Sequence, residues 1–200
     1  MPIKVFASSD GYDLAADNYD KKEKYLNGFE KGRFLPMIEN WRDKKVLDVG
    51  AGTGRVAIAL QKLGAKVTAL DISPKILKVL QKKEPRIKIV CADAESLPFG
   101  DDSFDVVTAA FLIVHLKNPQ RFFAEAYRVL KDGGYLLFTN INQKEPPEIK
   151  TDRGLIKIES YYHRPEKIRE ILNDLAFQVI EEEIIKEKDI WINQIILAKK

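Results

Sequence analysis

The stretch Asp48-Val49-Gly50-Ala51-Gly52-Thr53-Gly54 decides the fold. It closes a short apolar run of strand length, Lys45–Val49. It opens Arg55–Leu63, whose apolar residues recur at helical spacing and whose end is marked by Gly64. A glycine-rich turn between a strand and a helix lets a ligand come close to the backbone. It also aims the free N–H groups and positive dipole end of the helix at that ligand. The spacing is G-x-G-x-G. The dinucleotide fingerprint G-x-G-x-x-G would need a glycine at position 55, where this chain has Arg55.

Downstream, strand-length and helix-length segments alternate. Lys66–Leu70 reads as a strand. Ser73 then caps a helix with Pro74 at its first position, ending near Pro85. Arg86–Cys91 and Phe104–Ala109 are the next strands. Asn118-Pro119 opens a helix with an apolar face of Phe122, Phe123, Ala126, Val129 and Leu130. Gly133-Gly134 precedes a strand over Tyr135–Asn140. This alternation predicts an α/β fold, a Rossmann-like doubly wound and mostly parallel sheet, with ligands at the carboxyl ends of its strands. A strand-like run, Leu155–Ser160, and a helix from about Pro165 to Leu175 follow. The last two strand runs, Phe177–Ile185 and Ile190–Leu197, are joined by too short a link for a parallel crossover, so they form an antiparallel hairpin. Residues 1–43 read as polar and partly helical. Residues 141–154, with Pro146-Pro147, read as a loop.

Two hundred residues, 45% of them hydrophobic, suffice for one domain with a full core. A single cysteine, Cys91, excludes a disulfide scaffold. No apolar run approaches the ~18 residues of a membrane span. Residues 1–10 carry no apolar signal region, and a cytoplasmic location is expected. The net charge of +3, with scattered basic residues, does not point to nucleic acid. No cluster of His, Cys and carboxylate residues suggests a metal.

Asp71 ends the second strand, 21 residues after Gly50. Its carboxylate suits the two hydroxyls of a ribose, or a helix cap shared with Ser73. Asp93, after the third strand, suits the amino group of an adenine, or a loop turn. His115 lies on the ligand side of the sheet. It has the pKa of a general base, and it also fits as a buried histidine bonded to backbone. Tyr162 and His163 precede the last helix, before the hairpin, and either orient a second substrate or cap that helix.

Val46-Leu47-Asp48-Val49-Gly50-Ala51-Gly52-Thr53-Gly54, Ala69-Leu70-Asp71-Ile72-Ser73 and Ala92-Asp93-Ala94-Glu95-Ser96-Leu97-Pro98-Phe99 together resemble the class I S-adenosylmethionine-dependent methyltransferases. Phe104-Asp105-Val106-Val107 and Arg128-Val129-Leu130-Lys131-Asp132-Gly133-Gly134 extend the likeness, with Asp132 where the family usually has proline. The nearest branch is the small-molecule group of ubiquinone/menaquinone-biosynthesis methyltransferases. The resemblance implies a seven-stranded sheet ending in the hairpin and S-adenosyl-L-methionine as cofactor. Asp48 would orient the glycine loop and the amino acid part of the cofactor, with Gly50, Ala51 and Gly52 beneath the methionine portion. Asp71 and Ile72 would hold ribose and adenine, Asp93 and Ala94 the adenine. Ala110 and Phe111 would face the sulfonium. Tyr19 resembles the family's aromatic lid, with Tyr12 a rival for that place. Candidate catalytic residues are His115, His163 and Tyr162.

On this reading residues 1–200 form one domain: a helical lid segment (1–43), a cofactor-binding core (44–140), an acceptor-side lid (141–163), and a helix with the terminal hairpin (164–200). The acceptor is expected to be a small molecule. Amino-methylating nucleic-acid enzymes resemble one another in an Asn/Asp-Pro-Pro-aromatic tetrapeptide, and here that place reads Ala109-Ala110-Phe111-Leu112. A subunit that binds the cofactor without catalysing is the alternative. The oligomeric state stays open.

Overall fold

The computed structural model describes residues 3–16, 19–20, 28–152 and 154–200. The remainder of the predicted N-terminal lid segment lies outside the described residues.

Strands β2 (Lys45–Val49), β3 (Lys66–Asp71), β4 (Lys88–Cys91), β5 (Phe104–Ala109), β6 (Leu130–Ile141), β9 (Gln178–Glu187) and β10 (Ile190–Lys199) form one seven-stranded sheet, ordered β4-β3-β2-β5-β6-β10-β9. The first five are parallel. β10 runs antiparallel to both β6 and β9, so the terminal hairpin closes one edge as the short link requires. The chain starts at the centre with β2, winds outward through β3 and β4, then crosses back to β5. The direction of winding thus reverses between β2 and β5, and a crevice opens there outside the carboxyl ends of the strands.

Helices cover both faces. α2 (Arg55–Lys62) and α3 (Pro74–Lys83) bury Val56, Leu60, Leu77 and Leu80 on one side. α4 (Pro119–Val129) and α5 (Pro165–Asp174) bury Phe122, Phe123, Ile168 and Leu172 on the other. The two-residue period of the strands divides β10 between these cores: Ile195 and Leu197 face the first, Ile196 and Ala198 the second.

Two elements differ from the sequence reading. β6 begins at Leu130, directly after α4, and runs through Gly133-Gly134. Its register against β5 shifts between Phe104 and Val106, and Gly133 has φ +73°. A bulge absorbs the glycine pair, so the strand is not broken there. The predicted loop over 141–154 contains a strand, β7 (Glu148–Thr151), which pairs antiparallel with β8 (Gly154–Ile158). β8 in turn pairs parallel with β1 (Val5–Phe6). This second sheet, ordered β1-β8-β7, packs on α1 (Ser8–Ala15) around Ala15, Ile149, Ile156 and Ile158. β7 has only Ile149 as an apolar side chain, too little for its alternation to be read from the sequence. Pro146-Pro147 precede it, where a strand tolerates proline.

Candidate active site

The glycine turn is built by three backbone constraints. Ala51 N–H donates to the Leu70 carbonyl at 2.9 Å, Gly54 N–H to the Ala51 carbonyl at 3.0 Å, and Gly52 N–H to Asp71 Oδ2 at 2.9 Å. Gly52 has φ +56° and Gly54, the cap of α2, φ +94°, a region that side chains with a Cβ rarely occupy. A Cβ on Gly52 would point toward Tyr19, 3.6 Å from its Cε1. The loop surface is therefore bare backbone on the side that Tyr19 covers.

Asp71 takes the capping role that the sequence offered. Its Oδ1 accepts from Ser73 N–H at 2.9 Å, and the Ser73 hydroxyl accepts from Ile76 N–H at 3.2 Å, capping α3. The same carboxylate also lies on the wall of a cavity of about 300 Å³. Burial raises its pKa, and the N–H donors of Ser73 and Gly52 act against the rise. Gly50, Gly52, Ile72, Asp93, Ala94, Ala110, Phe111, Tyr19 and His115 line this cavity as well. Asp93 also forms the predicted turn, accepting from Glu95 N–H at 2.9 Å.

Asp48 lies at the bottom of a narrow adjoining cleft, with Gly50, Ala51, Gly52, Tyr19, Ala110 and Phe111 around it. Its Oδ1 accepts from the Thr108 hydroxyl at 2.7 Å, and its Oδ2 is buried without a hydrogen-bond partner among the described residues. Burial pushes the carboxyl up to about 7, despite the Thr108 hydrogen bond and the nearby Arg55. Arg55 grips Glu30 through two hydrogen bonds of 2.7 Å, and its guanidinium lies 5.5 Å from the centre of the Phe111 ring. Phe111 has φ +61° and is held by donating its N–H to the Thr139 hydroxyl at 2.8 Å.

The cap covers the crevice. Tyr12 of α1 and Tyr19 meet edge to face with ring centres 5.6 Å apart. Both therefore stand over the cleft, and Tyr12 joins Tyr19 there without displacing it. Burial lifts Tyr19 to about 12, reinforced by the Asp71 carboxylate. Asp13 of α1 accepts from the Ser73 hydroxyl at 2.6 Å, tying the cap to the start of α3.

His115 is in the wall. Its Nδ1 is 2.9 Å from the Glu159 carbonyl and its Nε2 2.6 Å from the Tyr12 hydroxyl. Tyr162 and His163 line neither this cavity nor the larger one beside it. Tyr162 is 37% exposed and leans on Trp191, with ring centres 6.0 Å apart. His163 Nε2 donates to the Leu116 carbonyl at 2.8 Å. The extended backbone alternates its side chains, so Tyr161 reaches the cavity in place of Tyr162.

Residues 47–138 match the family model described as a methyltransferase domain. Over that span the chain carries a methyltransferase domain. Demethylmenaquinone methyltransferase of Chlorobaculum parvum is 43% identical over 99 residues, 49% of this chain and 41% of that one. The Thermotoga maritima protein of the same name is 34% identical over 157 residues, 76% of this chain and 66% of that one. The chain spans about half the length of the first curated relatives it matches. An S-adenosylmethionine-dependent methyltransferase structure from Mesorhizobium loti shares the fold with a TM-score of 0.74 at 18% identity, covering 88% of this chain and 100% of that one.

Magnesium protoporphyrin IX methyltransferase from Synechocystis PCC 6803, a structure with bound S-adenosylmethionine, shares the fold with a TM-score of 0.66 at 20% identity, covering 89% of this chain and 79% of that one. The residues of the cleft here fit such a cofactor. The orphaned Asp48 Oδ2 needs a donor such as an ammonium group, and the Gly52 backbone leaves room beside it. Sequence reasoning missed Asp13, Glu30, Thr108 and Thr139. Each acts through a hydrogen bond to a residue distant in the chain, for which the sequence holds no local signal. Among the described residues, no helix is long and apolar enough to cross a membrane.

Proposed function

We propose that the whole protein transfers a methyl group from S-adenosylmethionine to a small molecule with an apolar, planar body, of the quinone kind named in its relatives. One observation carries this reading. A second cavity of about 830 Å³ adjoins the cofactor crevice and shares Tyr12, Tyr19, Phe111 and His115 with it. Phe29, Val114, Ile141, Pro147 and Ile149 supply much of its remaining wall. An apolar, aromatic-walled pocket of this size suits a small molecule better than a duplex or a folded protein.

Asp48 would meet the cofactor's amino group. Gly50, Ala51 and Gly52 would lie under its methionine portion, and Asp71 would accept from the ribose hydroxyls. Ile72, Asp93 and Ala94 would hold the adenine, and Ala110 and Phe111 would face the reacting methyl, with Tyr19 as lid. When bound, S-adenosylmethionine supplies an activated methyl together with its leaving group. The chain's task is then to align the acceptor and exclude water. The described residues of 1–43 and 141–163 would supply the lid over the core of 44–140. The enzyme names of the curated relatives favour catalysis over a purely cofactor-binding subunit. Calorimetry tests the reading: S-adenosylhomocysteine should bind and NAD should not. NAD binding at micromolar strength with no S-adenosylhomocysteine signal would overturn it.

A further inference from the structure

Tyr12, Tyr19, Phe111 and His115 line both cavities and so frame the opening through which a methyl group would pass from one to the other. Two of the four are hydrogen-bonded to each other, and the direction of that bond can be deduced. The Glu159 carbonyl can only accept, so His115 Nδ1 carries the proton that bonds it at 2.9 Å. Nε2 of the neutral ring is then a lone pair. The Tyr12 hydroxyl, 2.6 Å away, must be the donor. The rings are locked edge to face with centres 5.2 Å apart, and Tyr12 is braced from its other side by Tyr19. Burial holds His115 below the usual imidazole value and Tyr12 well above the usual phenol value. At neutral pH the pair is therefore uncharged, with an unprotonated ring nitrogen accepting from a phenol.

A phenol at the opening, backed by a neutral imidazole whose far side is fixed by a backbone carbonyl, is a proton-accepting relay. We propose that Tyr12 takes the acceptor's hydroxyl proton while passing its own to His115, and that the acceptor is a planar ring bearing an ionisable hydroxyl. The proposal rests on the methyltransferase reading of the crevice and deepens it. In the step, the acceptor O–H bond breaks and its proton goes to the Tyr12 oxygen. The Tyr12 proton moves to His115 Nε2, leaving a neutral phenol and an imidazolium. The electron pair left on the acceptor forms the new bond to the methyl carbon as the carbon–sulfur bond breaks, its pair staying on sulfur. His115 later returns its proton to solvent through the same pair. Tyr12 is then the catalytic residue, and His115 is a positioning residue that acts through it. The Glu159 carbonyl fixes the tautomer.

The test uses the full chain, S-adenosylmethionine and 1,4-naphthalenediol, kept reduced, as probe acceptor. The wild type should yield methylated diol and should show much weaker binding of naphthalene, which lacks the hydroxyls. Tyr12→Phe keeps the ring packing and loses the hydroxyl. His115→Gln keeps an acceptor for Tyr12 but cannot take up a proton. Each should lower kcat by roughly 100-fold or more. KM for the diol and affinity for S-adenosylhomocysteine should stay within about threefold. A clasp that merely fastens the cap would show the opposite split, with weakened cofactor and acceptor binding and kcat kept at saturation. That outcome overturns the proposal, as does unchanged kcat in either folded variant. Normal S-adenosylhomocysteine binding without methylation of the diol overturns the acceptor class alone. Absent S-adenosylhomocysteine binding overturns the underlying reading instead.

Discussion

Replacing Asp48 by asparagine separates the cost of the cofactor site from its use. In the folded chain this carboxyl sits at about 7, against 3.8 for an ordinary aspartate, because burial penalises its charge. Each pH unit of that displacement is worth about 1.36 kcal/mol, so the ionised group costs the fold ~4 kcal/mol above pH 7. The folded chain holds this proton more tightly than the unfolded chain. The group's contribution is therefore most favourable below about pH 4 and is lost as the pH rises to about 7. The asparagine side chain would keep an oxygen for the Thr108 hydroxyl and put an unpartnered amide where Oδ2 now lies, at a cost of ~1–3 kcal/mol. Asp48→Asn should then stabilise the ligand-free protein by about 1–3 kcal/mol at pH 8, and by about 3 kcal/mol less at pH 5. Urea unfolding of both proteins at the two pH values measures this. The same variant should bind S-adenosylhomocysteine roughly 10- to 100-fold more weakly, since a neutral amide replaces the proposed partner of its ammonium group. Equal stability changes at pH 5 and pH 8 would refute the assignment of a strained, half-satisfied carboxyl at this position.

Asp71→Ala removes the acceptor of both the Gly52 and Ser73 N–H groups as well as the proposed ribose contact; S-adenosylhomocysteine affinity should fall by ~2–4 kcal/mol in calorimetry, and an unchanged affinity would take Asp71 out of the site. Gly52→Val should abolish that binding while circular dichroism shows the fold retained, because the new side chain fills the space between the loop and Tyr19 and sits at φ +56°. Gly11→Val places a Cβ 2.7 Å from Ile158 Cγ1. It should part α1 from β8, seen as faster amide exchange in residues 3–16 and 154–158 with exchange in β2 and β5 unchanged.

The cofactor half of the molecule is legible because its signals are local. Lys45–Val49, Gly50–Gly54 and the helix after them follow one another along the chain, and each constrains the next through the φ of a glycine or the cap of a helix. Ser73-Pro74 announces α3 in the same way, and the short link before Ile190 dictates an antiparallel hairpin. Residues that act at a distance are less visible. Arg55 reads in sequence only as the residue that spoils a dinucleotide fingerprint. In the fold it pairs with Glu30 and overlies Phe111. Tyr161 and Tyr162 are adjacent and alike, and only the alternation of an extended segment decides which one enters the cavity.

The cap shows the same limit on a larger scale. β1 has two residues and β7 four, and neither buries enough apolar surface to be stable alone. They become strands because β8 lies between them, pairing Val5 with Lys157 on one edge and Ile149 with Ile156 on the other. α1 then seals the layer with Ala15 and the side chains around Ile158. Two segments separated by some 140 residues thus make one structure, and that structure carries Tyr12 to His115 and Asp13 to Ser73. The proposed acceptor cavity lies where this cap meets the sheet: Tyr12, Pro147 and Ile149 come from one side, Phe111 and His115 from the other. If this cavity holds the acceptor as proposed, acceptor choice should depend on the cap that β8 holds together. Changes in the cap should alter which molecules are methylated while leaving the proposed contacts of Asp48 and Asp71 with the cofactor intact.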